Sequence, residues 1–247
     1  MSFFAITKEC KQAIDSWSGI QSAPSKENRK HPQGITVLQH PFVERYLGKS
    51  HWALPGLWFL PIIAYCFYAT NRQGHLGLTA MAALFVAGIL VWTFVEYMLH
   101  RFLFHLNGGD GGFRKSMLFM AHGYHHEFPN DPGRLVAPPM MSWPLAAVFA
   151  TLFYFTLGMY WLPTFAGFVA GYLAYDWVHY YTHHGRPTTR VGKFLRRYHF
   201  EHHYKNHDTQ FGISTPLWDL VLGTFRKPGA LINPSLDCDQ PQAALKT

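Results

Sequence analysis

Long stretches without Asp, Glu, Lys or Arg constrain this chain more than any other feature of its sequence. Such stretches run from Trp52 to Asn71, from Gln73 to Val95 and from Leu135 to Tyr175. One helix needs ~20 apolar residues to cross the hydrocarbon core, so the third stretch is long enough for two helices, and Pro163 is the predicted hairpin point. We therefore predict an all-α membrane protein with four transmembrane helices, near residues 53–70, 76–98, 143–160 and 164–183.

The positions of the positive charges predict which side faces the cytoplasm. Of the 21 Lys and Arg residues, all except Arg72 lie before the first predicted span, in the loop 99–134, or after Tyr181. The positive-inside rule makes that side cytoplasmic, in a bacterial inner membrane or in the endoplasmic reticulum. The net charge of +7 then favours anionic lipid headgroups or an acidic partner. We expect no nucleic-acid partner, since no basic stripe lies on a soluble fold.

The remaining sequence divides into flanking segments around one membrane domain. Residues 1–51 are predicted to be an N-terminal cytoplasmic or interfacial segment with a linker at 21–34, followed by the domain at 52–227 and an irregular tail at 228–247. Helical spacing of apolar residues before the linker indicates either a helix on the membrane surface or a loosely ordered terminus; these residues are Phe3, Ile6, Cys10, Ile14 and Trp17.

Histidines concentrate on the positively charged side of the predicted membrane domain. Twelve of the 16 histidines lie in four groups, at residues 100–105, 122–126, 179–184 and 199–207. Because positions i and i+4 share a helix face, three groups can each direct two imidazoles at one metal ion; the pairs are His122 with His126, His179 with His183, and His199 with His203. The i+3 members His125 and His202 point slightly aside, towards a second ion nearby.

His100 and His105 are five residues apart, which places them roughly 140° apart on a regular α-helix. Both can serve one centre only if the helix ends or bulges between them. About ten imidazole ligands are too many for one ion, so the pattern indicates two metals, and imidazole suits iron, zinc, copper or nickel. A haem bundle would not need the HxxHH triplets. A metal transporter would place its ligands near the bilayer midplane rather than at one face.

The series HxxxxH, HxxHH, HxxxHH and HxxHH resembles the membrane fatty acid hydroxylase and sterol desaturase superfamily. Further segments are similar to the fatty acid 2-hydroxylases in particular, namely His122-Gly-Tyr-His-His, Arg134-Leu-Val-Ala-Pro-Pro, Arg197-Tyr-His-Phe-Glu-His-His-Tyr-Lys-Asn and Phe211-Gly-Ile-Ser. The resemblance covers roughly residues 50–227. It implies a four-helix membrane bundle with a cytoplasmic histidine-rich helical cap that houses a two-metal centre. The implied reaction is O2-dependent hydroxylation, at carbon 2, of long-chain fatty acids or sphingolipid-type acyl lipids.

The resemblance also implies ten metal ligands, with the metal centre itself as the catalyst. These are His100, His105, His122, His125, His126, His179, His183, His199, His202 and His203. His184 and His207 match motif positions that are not direct ligands, and we expect them, like Glu96 and Asp176, to lie in the layer of residues around the ligands. We expect Glu96 and Asp176 each to accept a hydrogen bond from a ligand imidazole and so to fix its tautomer. The alternative for both is a charge at a helix end that reaches water.

The predicted substrate is a long-chain acyl lipid that enters from the bilayer, with its polar head near the cytoplasmic surface. Four tyrosines flank the ligands and are predicted to close the site or bind the head; they are Tyr124, Tyr180, Tyr198 and Tyr204. The expected cofactors are two iron ions, with zinc possible in the isolated protein, and O2 as cosubstrate. About 50 residues before the first span are too few for a haem-carrying domain, so we expect a separate cytochrome b-type or ferredoxin-type donor with its reductase.

Two other functions remain open from the sequence. The same centre would suit a hydroxylase or desaturase of a sterol, a carotenoid or another lipid. A metal-binding transporter or sensor of the membrane is the alternative that is not an enzyme.

Overall fold

The computed structural model describes residues 4–20, 34–106 and 112–229. Within these residues the secondary structure is helical, apart from an isolated β-bridge between Ile6 and Leu38. The α-helices are α1 (Lys8–Ser16), α2 (Pro41–Val43), α3 (Leu54–Gln73), α4 (Leu78–Met98), α5 (Gly112–Leu118), α6 (Tyr124–Glu127), α7 (Pro139–Leu157), α8 (Trp161–His184), α9 (Arg190–Tyr204) and α10 (Leu217–Val221). The predicted all-α fold is therefore observed throughout the described residues.

Helix α8 is the centre of the bundle and packs against α3, α4 and α7. Its first half is buried almost continuously, from Leu162 to Val169. Helix α4 approaches α8 closely because both carry glycine at the contact. A Cβ atom on Gly88 would collide with the Thr164 carbonyl, and one on Gly167 would collide with the Phe85 carbonyl. Small residues at such a crossing allow two backbones to touch, as in many membrane helix pairs.

Helices α7 and α8 form a hairpin that turns at Gly158–Tyr160, a single 3₁₀ turn. Gly158 has φ +52°, which glycine adopts at little cost. The predicted hairpin point at Pro163 was wrong. Pro163 lies in the first turn of α8, where a missing N–H is tolerated because no helical partner exists for it.

Two helical stretches among the described residues are long and apolar enough to cross a membrane. They are Leu78–Phe104, with mean hydropathy 2.2, and Pro139–His184, with mean hydropathy 1.7. The second contains both arms of the α7–α8 hairpin. Helix α3 occupies the first predicted span and has 20 residues, but it does not reach the same apolarity and ends in Asn71, Arg72 and Gln73. These apolar helices indicate membrane association, and the four-span arrangement remains a prediction.

The N-terminal segment packs against the histidine-rich part of the molecule. Thr7 caps α1 by accepting the N–H of Cys10 at 3.0 Å. The apolar face of α1 is buried against Leu118, Phe119 and Tyr124. Of the five predicted apolar positions, Phe3 lies outside the described residues, as do most of the predicted linker and the predicted tail.

Candidate metal centre

Ten histidines form two compact clusters at one end of the bundle. In each cluster the ligand nitrogens all lie within 4.8 Å of one another. We call them cluster A (His100, His105, His122, His126 and His202) and cluster B (His125, His179, His183, His199 and His203). All except His105 are buried. The clusters adjoin each other, since the rings of His126 and His203 stack with centroids 4.2 Å apart.

Cluster A depends on two segments of wide, π-type helix. Residues Leu99–Phe104 continue α4 as a π-helix, which places His100 and His105 with ring centroids 4.9 Å apart. This is the bulge that the five-residue spacing required. A second π-helix, Phe119–Gly123, leads into α6 and carries His122. The Nε2 atoms of His122 and His126 are 2.9 Å apart. Extra residues in a helical turn of this kind are frequent at functional sites.

Cluster B is assembled mainly by two regular helices. His179 and His183 lie on one face of α8, and His199 and His203 lie on one face of α9. Their Nε2 atoms meet in the space between the helices, with 2.9 Å from His183 to His199 and 3.0 Å from His203 to His199. His125 completes the cluster from α6, its Nε2 atom 2.9 Å from that of His179. The i+3 members His125 and His202 thus each join the cluster opposite to that of their neighbours.

Backbone carbonyls orient two rings of cluster A. His100 Nδ1 donates to the carbonyl of Phe211 at 2.5 Å, and His202 Nδ1 donates to the carbonyl of Thr209 at 2.8 Å. A carbonyl accepts and never donates, so the proton of each neutral ring is on Nδ1 and the lone pair is on Nε2. The Nε2 atoms of His100, His105 and His202 are buried without a hydrogen-bond partner. Unpartnered lone pairs that converge in a buried site fit a metal ion.

The electrostatics of the clusters also suit a metal. Burial lowers the pKa of the His122, His199 and His203 imidazoles well below its ordinary value, and neighbouring imidazoles lower it further. These rings are therefore neutral near pH 7. Metal ligation requires the neutral form of histidine.

Glu96 supports cluster A through the chain rather than by touching an imidazole. Its Oε1 accepts the N–H groups of Ile213 and Ser214 at 2.7 and 2.9 Å, and its Oε2 accepts the Ser214 hydroxyl at 2.5 Å. The expected hydrogen bond from a ligand imidazole is thus wrong for Glu96. The end of α4 faces the loop at 209–215, whose converging donors occupy the carboxylate. That loop presents the Phe211 carbonyl to His100.

Asp219 is a supporting residue that the sequence reasoning missed. It is fully buried and accepts the N–H groups of Phe211 and Gly212, both at 2.8 Å, and the Thr224 hydroxyl at 2.7 Å. It therefore fixes the same loop as Glu96, at Phe211 and Gly212 rather than at Ile213 and Ser214. The Phe211-Gly-Ile-Ser motif was the one signal in the sequence that could have pointed to Asp219. A loop whose backbone is fixed needs a buried acceptor for its N–H groups.

A cavity of about 490 Å³ adjoins both clusters. Its wall includes His100 and His122 from cluster A and His125 and His179 from cluster B. It also includes Val148 of α7, whose side chain is 62% exposed on the apolar surface of the bundle. The cavity therefore connects the histidines with the surface that a bilayer would cover.

Asp176 lies in the cavity wall together with Tyr172 and Tyr175. The polar neighbours of its buried carboxyl are the Tyr172 hydroxyl and the Ala137 N–H, rather than a ligand imidazole, and Oδ2 has no hydrogen-bond partner. The expected bond to an imidazole is therefore absent at Asp176 too. Asp176 is on α8 one turn before His179, and its side chain meets the backbone just before α7, at Ala137, rather than a cluster.

The other predicted site residues divide into those near the cavity and those away from it. Tyr124 lines the cavity, whereas Tyr180, Tyr198 and Tyr204 are not in its described wall. Tyr180 packs on His184, Tyr198 stacks on Phe194 and Phe225, and Tyr204 packs on Phe200. Being next to a ligand in sequence does not bring these three tyrosines into the cavity wall, because neighbouring residues on a helix point in different directions.

The two additional motif histidines lie outside the clusters. His184 is half-buried against Tyr180, with ring centroids 4.9 Å apart. His207 is next to cluster A, with its ring centroid 5.6 Å from that of His126.

Comparison with known proteins agrees with this arrangement. The fatty acid hydroxylase family model matches residues 85–224, which contain all ten clustered histidines. The chain belongs to the fatty acid hydroxylase family. Both histidine clusters lie within the matched region and are compatible with metal binding.

Among the relatives of this chain is the ceramide very long chain fatty acid hydroxylase SCS7 of Saccharomyces cerevisiae. It is 36% identical over 205 residues, which cover 82% of this chain and 52% of the yeast protein. The dihydroceramide fatty acyl 2-hydroxylase FAH1 of Arabidopsis thaliana is 38% identical over 204 residues, 78% of this chain and 80% of the plant protein. The chain thus spans about half of the yeast relative and most of the plant relative.

A solved structure of full-length scs7p, in which only the hydroxylase domain is visible, has a similar fold. The TM-score is 0.72 at 35% sequence identity, over 81% of this chain and 75% of the scs7p chain. The agreement extends across the helical bundle and is not restricted to the histidine motifs.

Proposed function

We propose that this protein is a membrane monooxygenase that hydroxylates carbon 2 of long-chain acyl lipids with O2. The observation that carries the proposal is the position of the cavity, whose wall contains histidines of both clusters and reaches the apolar surface of the bundle. The names of related proteins support the reaction, since the plant relative is a dihydroceramide fatty acyl 2-hydroxylase and the human relative, 34% identical, is a fatty acid 2-hydroxylase. The yeast relative is named as a hydroxylase of ceramide very long chain fatty acids.

The proposed ligands are the ten clustered histidines, five for each of two ions, and the proposed native metal is iron. Zinc is an expected occupant of the isolated protein, because it follows iron in the affinity order and suits imidazole sites. When bound, the two ions would supply the oxidising chemistry that no protein side chain has, namely O2-dependent cleavage of an unactivated C–H bond.

The residues of the chain determine which carbon reacts. Carbon 2 lies beside the carbonyl, so the polar head must reach the histidines while the alkyl chain extends away from them. The cavity wall supplies groups for both parts of the substrate, with His122 and Tyr124 for the polar head and Leu145 and Val148 on α7 for the alkyl chain. The apolar wall excludes water from the bound chain and orients it towards the bilayer.

The proposal includes a topology of four spans with the histidine-rich cap on the cytoplasmic side, within a domain at residues 52–227. It supposes delivery of electrons by a separate cytochrome b-type or ferredoxin-type protein. The segments that flank the spans are positively charged, which favours an acidic donor protein. Complementary charges accelerate association between proteins.

Product analysis with labelled oxygen tests the proposal. Membranes that contain the full chain, an electron donor with its reductase and long-chain N-acyl lipids are incubated with ¹⁸O2. We expect a 2-hydroxyacyl product with one labelled oxygen atom, detected by mass spectrometry. The control variant is His75→Ala, an exposed histidine far from the clusters in sequence, and the test variant is His203→Ala.

Three results would contradict the proposal. Labelled sterol or carotenoid products would indicate the alternative lipid substrates. Metal uptake into vesicles without oxygenated lipid would indicate a transporter. Equal product from His203→Ala and His75→Ala would show that cluster B is not needed for the reaction.

A further inference from the structure

Arg134 is a buried cation in the wall of the cavity. It lies in the connection between α6 and α7, its side chain is 9% exposed, and it is the one Lys or Arg in the described cavity wall. Arginine retains its charge in almost any environment. A charge of this kind in a cavity suited to an apolar chain needs an explanation.

The two terminal nitrogens of Arg134 are occupied by the N-terminal segment. Nη2 is paired with Glu44 Oε1 at 2.5 Å, and Nη1 donates to the Gly48 carbonyl at 2.8 Å. Glu44 is fixed in turn, because its carboxylate accepts the N–H groups of Val37 and Leu38. These contacts balance the charge of the guanidinium and hold it in one orientation.

The third nitrogen, Nε, is buried and has no hydrogen-bond partner. A buried N–H without an acceptor is costly, and such groups are rare in folded proteins. The guanidinium carbon lies 5.2 Å from the centre of the Tyr124 ring, and Tyr124 directly precedes His125 of cluster B. The unpaired donor therefore belongs to a residue that lines the same cavity as histidines of both clusters.

We infer that the Arg134 Nε–H group binds the acyl carbonyl oxygen of the substrate and thereby places carbon 2 at the histidine clusters. Because Glu44 already neutralises the guanidinium, the remaining donor suits an uncharged acceptor such as the carbonyl of an N-acyl lipid. A free carboxylate presents the same kind of oxygen and is the second source to be tested. This inference rests on the proposed function, which supplies the acyl substrate.

Binding without turnover tests the contact. The metal-loaded protein in detergent micelles is titrated, without O2, with an N-acyl lipid and with its thioamide counterpart, in which sulfur replaces the carbonyl oxygen. Sulfur is a weak acceptor. We expect wild type to bind the oxygen lipid about tenfold more tightly, since this is the typical worth of one hydrogen bond. In Arg134→Lys, which preserves a charge for Glu44 and removes Nε–H, the ratio should fall towards one.

A second variant covers the case in which Arg134→Lys does not fold. Glu44→Gln combined with Arg134→Met removes both charges and leaves no unpaired ion in the protein. Metal content and thermal melting of each variant are measured beside the binding ratio. A merely structural role would weaken the binding of both lipids equally and leave their ratio unchanged.

The outcomes separate the contact from the reaction. An unchanged ratio in a folded, metal-loaded variant would overturn the contact. If the ratio changes in the variant but the wild-type protein makes no 2-hydroxy product with O2, the contact is supported and the proposed reaction is rejected. With active protein, loss of the contact should also increase the fraction of product hydroxylated beyond carbon 2. Titration of the free fatty acid in the same way shows whether the carboxylate or the N-acyl carbonyl binds more tightly. Tighter binding of either ligand supports the contact.

Discussion

Cluster A and cluster B contain the same number of histidines but are built differently. Four of the five histidines of cluster B are i, i+4 pairs on α8 and α9, two helices of 24 and 15 residues. Cluster A combines two π-helical segments, α6 and His202 of α9. Its orienting contacts come from the irregular loop at 209–215.

This difference indicates where the centre is vulnerable. The geometry of cluster B follows from two regular helices, one of which, α8, is buried at the centre of the bundle. The geometry of cluster A follows from a loop whose backbone is held by the Glu96 and Asp219 carboxylates. We therefore expect cluster A to lose its metal first whenever the structure is perturbed.

The largest expected effects come from removing one ligand in each cluster. His202 and His203 are adjacent in sequence but belong to clusters A and B. His202→Ala and His203→Ala should each lower activity more than ~100-fold, because a direct ligand matters more than the outer contacts that cost 10–100-fold. Each should reduce bound metal from two ions to one, measured by elemental analysis. Loss of both ions from His202→Ala would contradict the independence of cluster B.

Asp219→Ala should weaken cluster A selectively. It removes the acceptor for three hydrogen bonds and frees the Phe211 carbonyl that orients His100. We expect metal affinity at cluster A to fall about 10–100-fold, as for other residues that orient metal ligands. The measurement is retention of each ion during titration with a chelator. Thr164→Ala, which removes one buried hydroxyl in α8, is the matched control. Equal loss from both clusters would show that the loop supports them jointly.

Glu96→Gln and Asp176→Asn should separate support of the metal from contact with the substrate. Glu96→Gln leaves one acceptor for the loop at 213–214, so we expect a loss of about tenfold in metal affinity at cluster A. Asp176→Asn should retain both ions and lower turnover, because Asp176 lines the cavity and has no imidazole partner. Metal analysis and steady-state kinetics are compared on the same preparations. Loss of metal from Asp176→Asn would show that Asp176 supports the metal centre rather than contacts the substrate.

Glu44→Gln should have the smallest effect on the metals and a characteristic dependence on pH. Burial disfavours the Glu44 carboxylate, but Arg134 and the N–H groups of Leu38 and Val37 outweigh burial and hold its pKa below the ordinary value of 4.5. A lowered pKa in the folded state contributes stability above about pH 4.5, and this contribution is lost as the pH falls through the folded pKa. We expect the variant to be less stable by about 1–3 kcal/mol at pH 7.

Thermal melting of wild type and Glu44→Gln between pH 3 and pH 7 checks this expectation. The difference between the two proteins should narrow at acidic pH, since wild type alone loses an ionised partner there. A constant difference over the whole range would show that the carboxylate contributes by shape rather than by charge.

Local patterns sufficed to predict the helices and the grouping of the histidines. Uncharged stretches marked α3, α4, α7 and α8 to within a few residues, because helix length and apolarity are properties of a continuous segment. The i, i+4 pairs fixed which rings share a face, and the i+3 members joined the opposite clusters. The turn at Gly158 was missed because proline is the stronger breaker in general, yet it is harmless in the first turn of a helix.

The supporting residues could not be predicted from the same patterns. Glu96 and Asp219 act on a loop more than 100 residues from the first of them in sequence, through backbone N–H groups that have no sequence signature. The residues that line the cavity could not be predicted from the sequence either. Tyr172 and Tyr175 line it through the packing of α7 on α8, whereas three tyrosines chosen for proximity to ligands point elsewhere. Spacing predicts neighbours within an element, and tertiary packing decides the rest.

The widened turn at Leu99–Phe104 has a consequence for the register of the chain. It lets a single continuous helix present one face to the bilayer bundle and a rotated face to the histidines, without a break between them. Deleting one residue between His100 and His105 would restore an ordinary helical pitch and the common four-residue interval. The two rings would then still share a side, and the residues beyond them would keep their orientation, because the wide turn and its one extra residue are lost together.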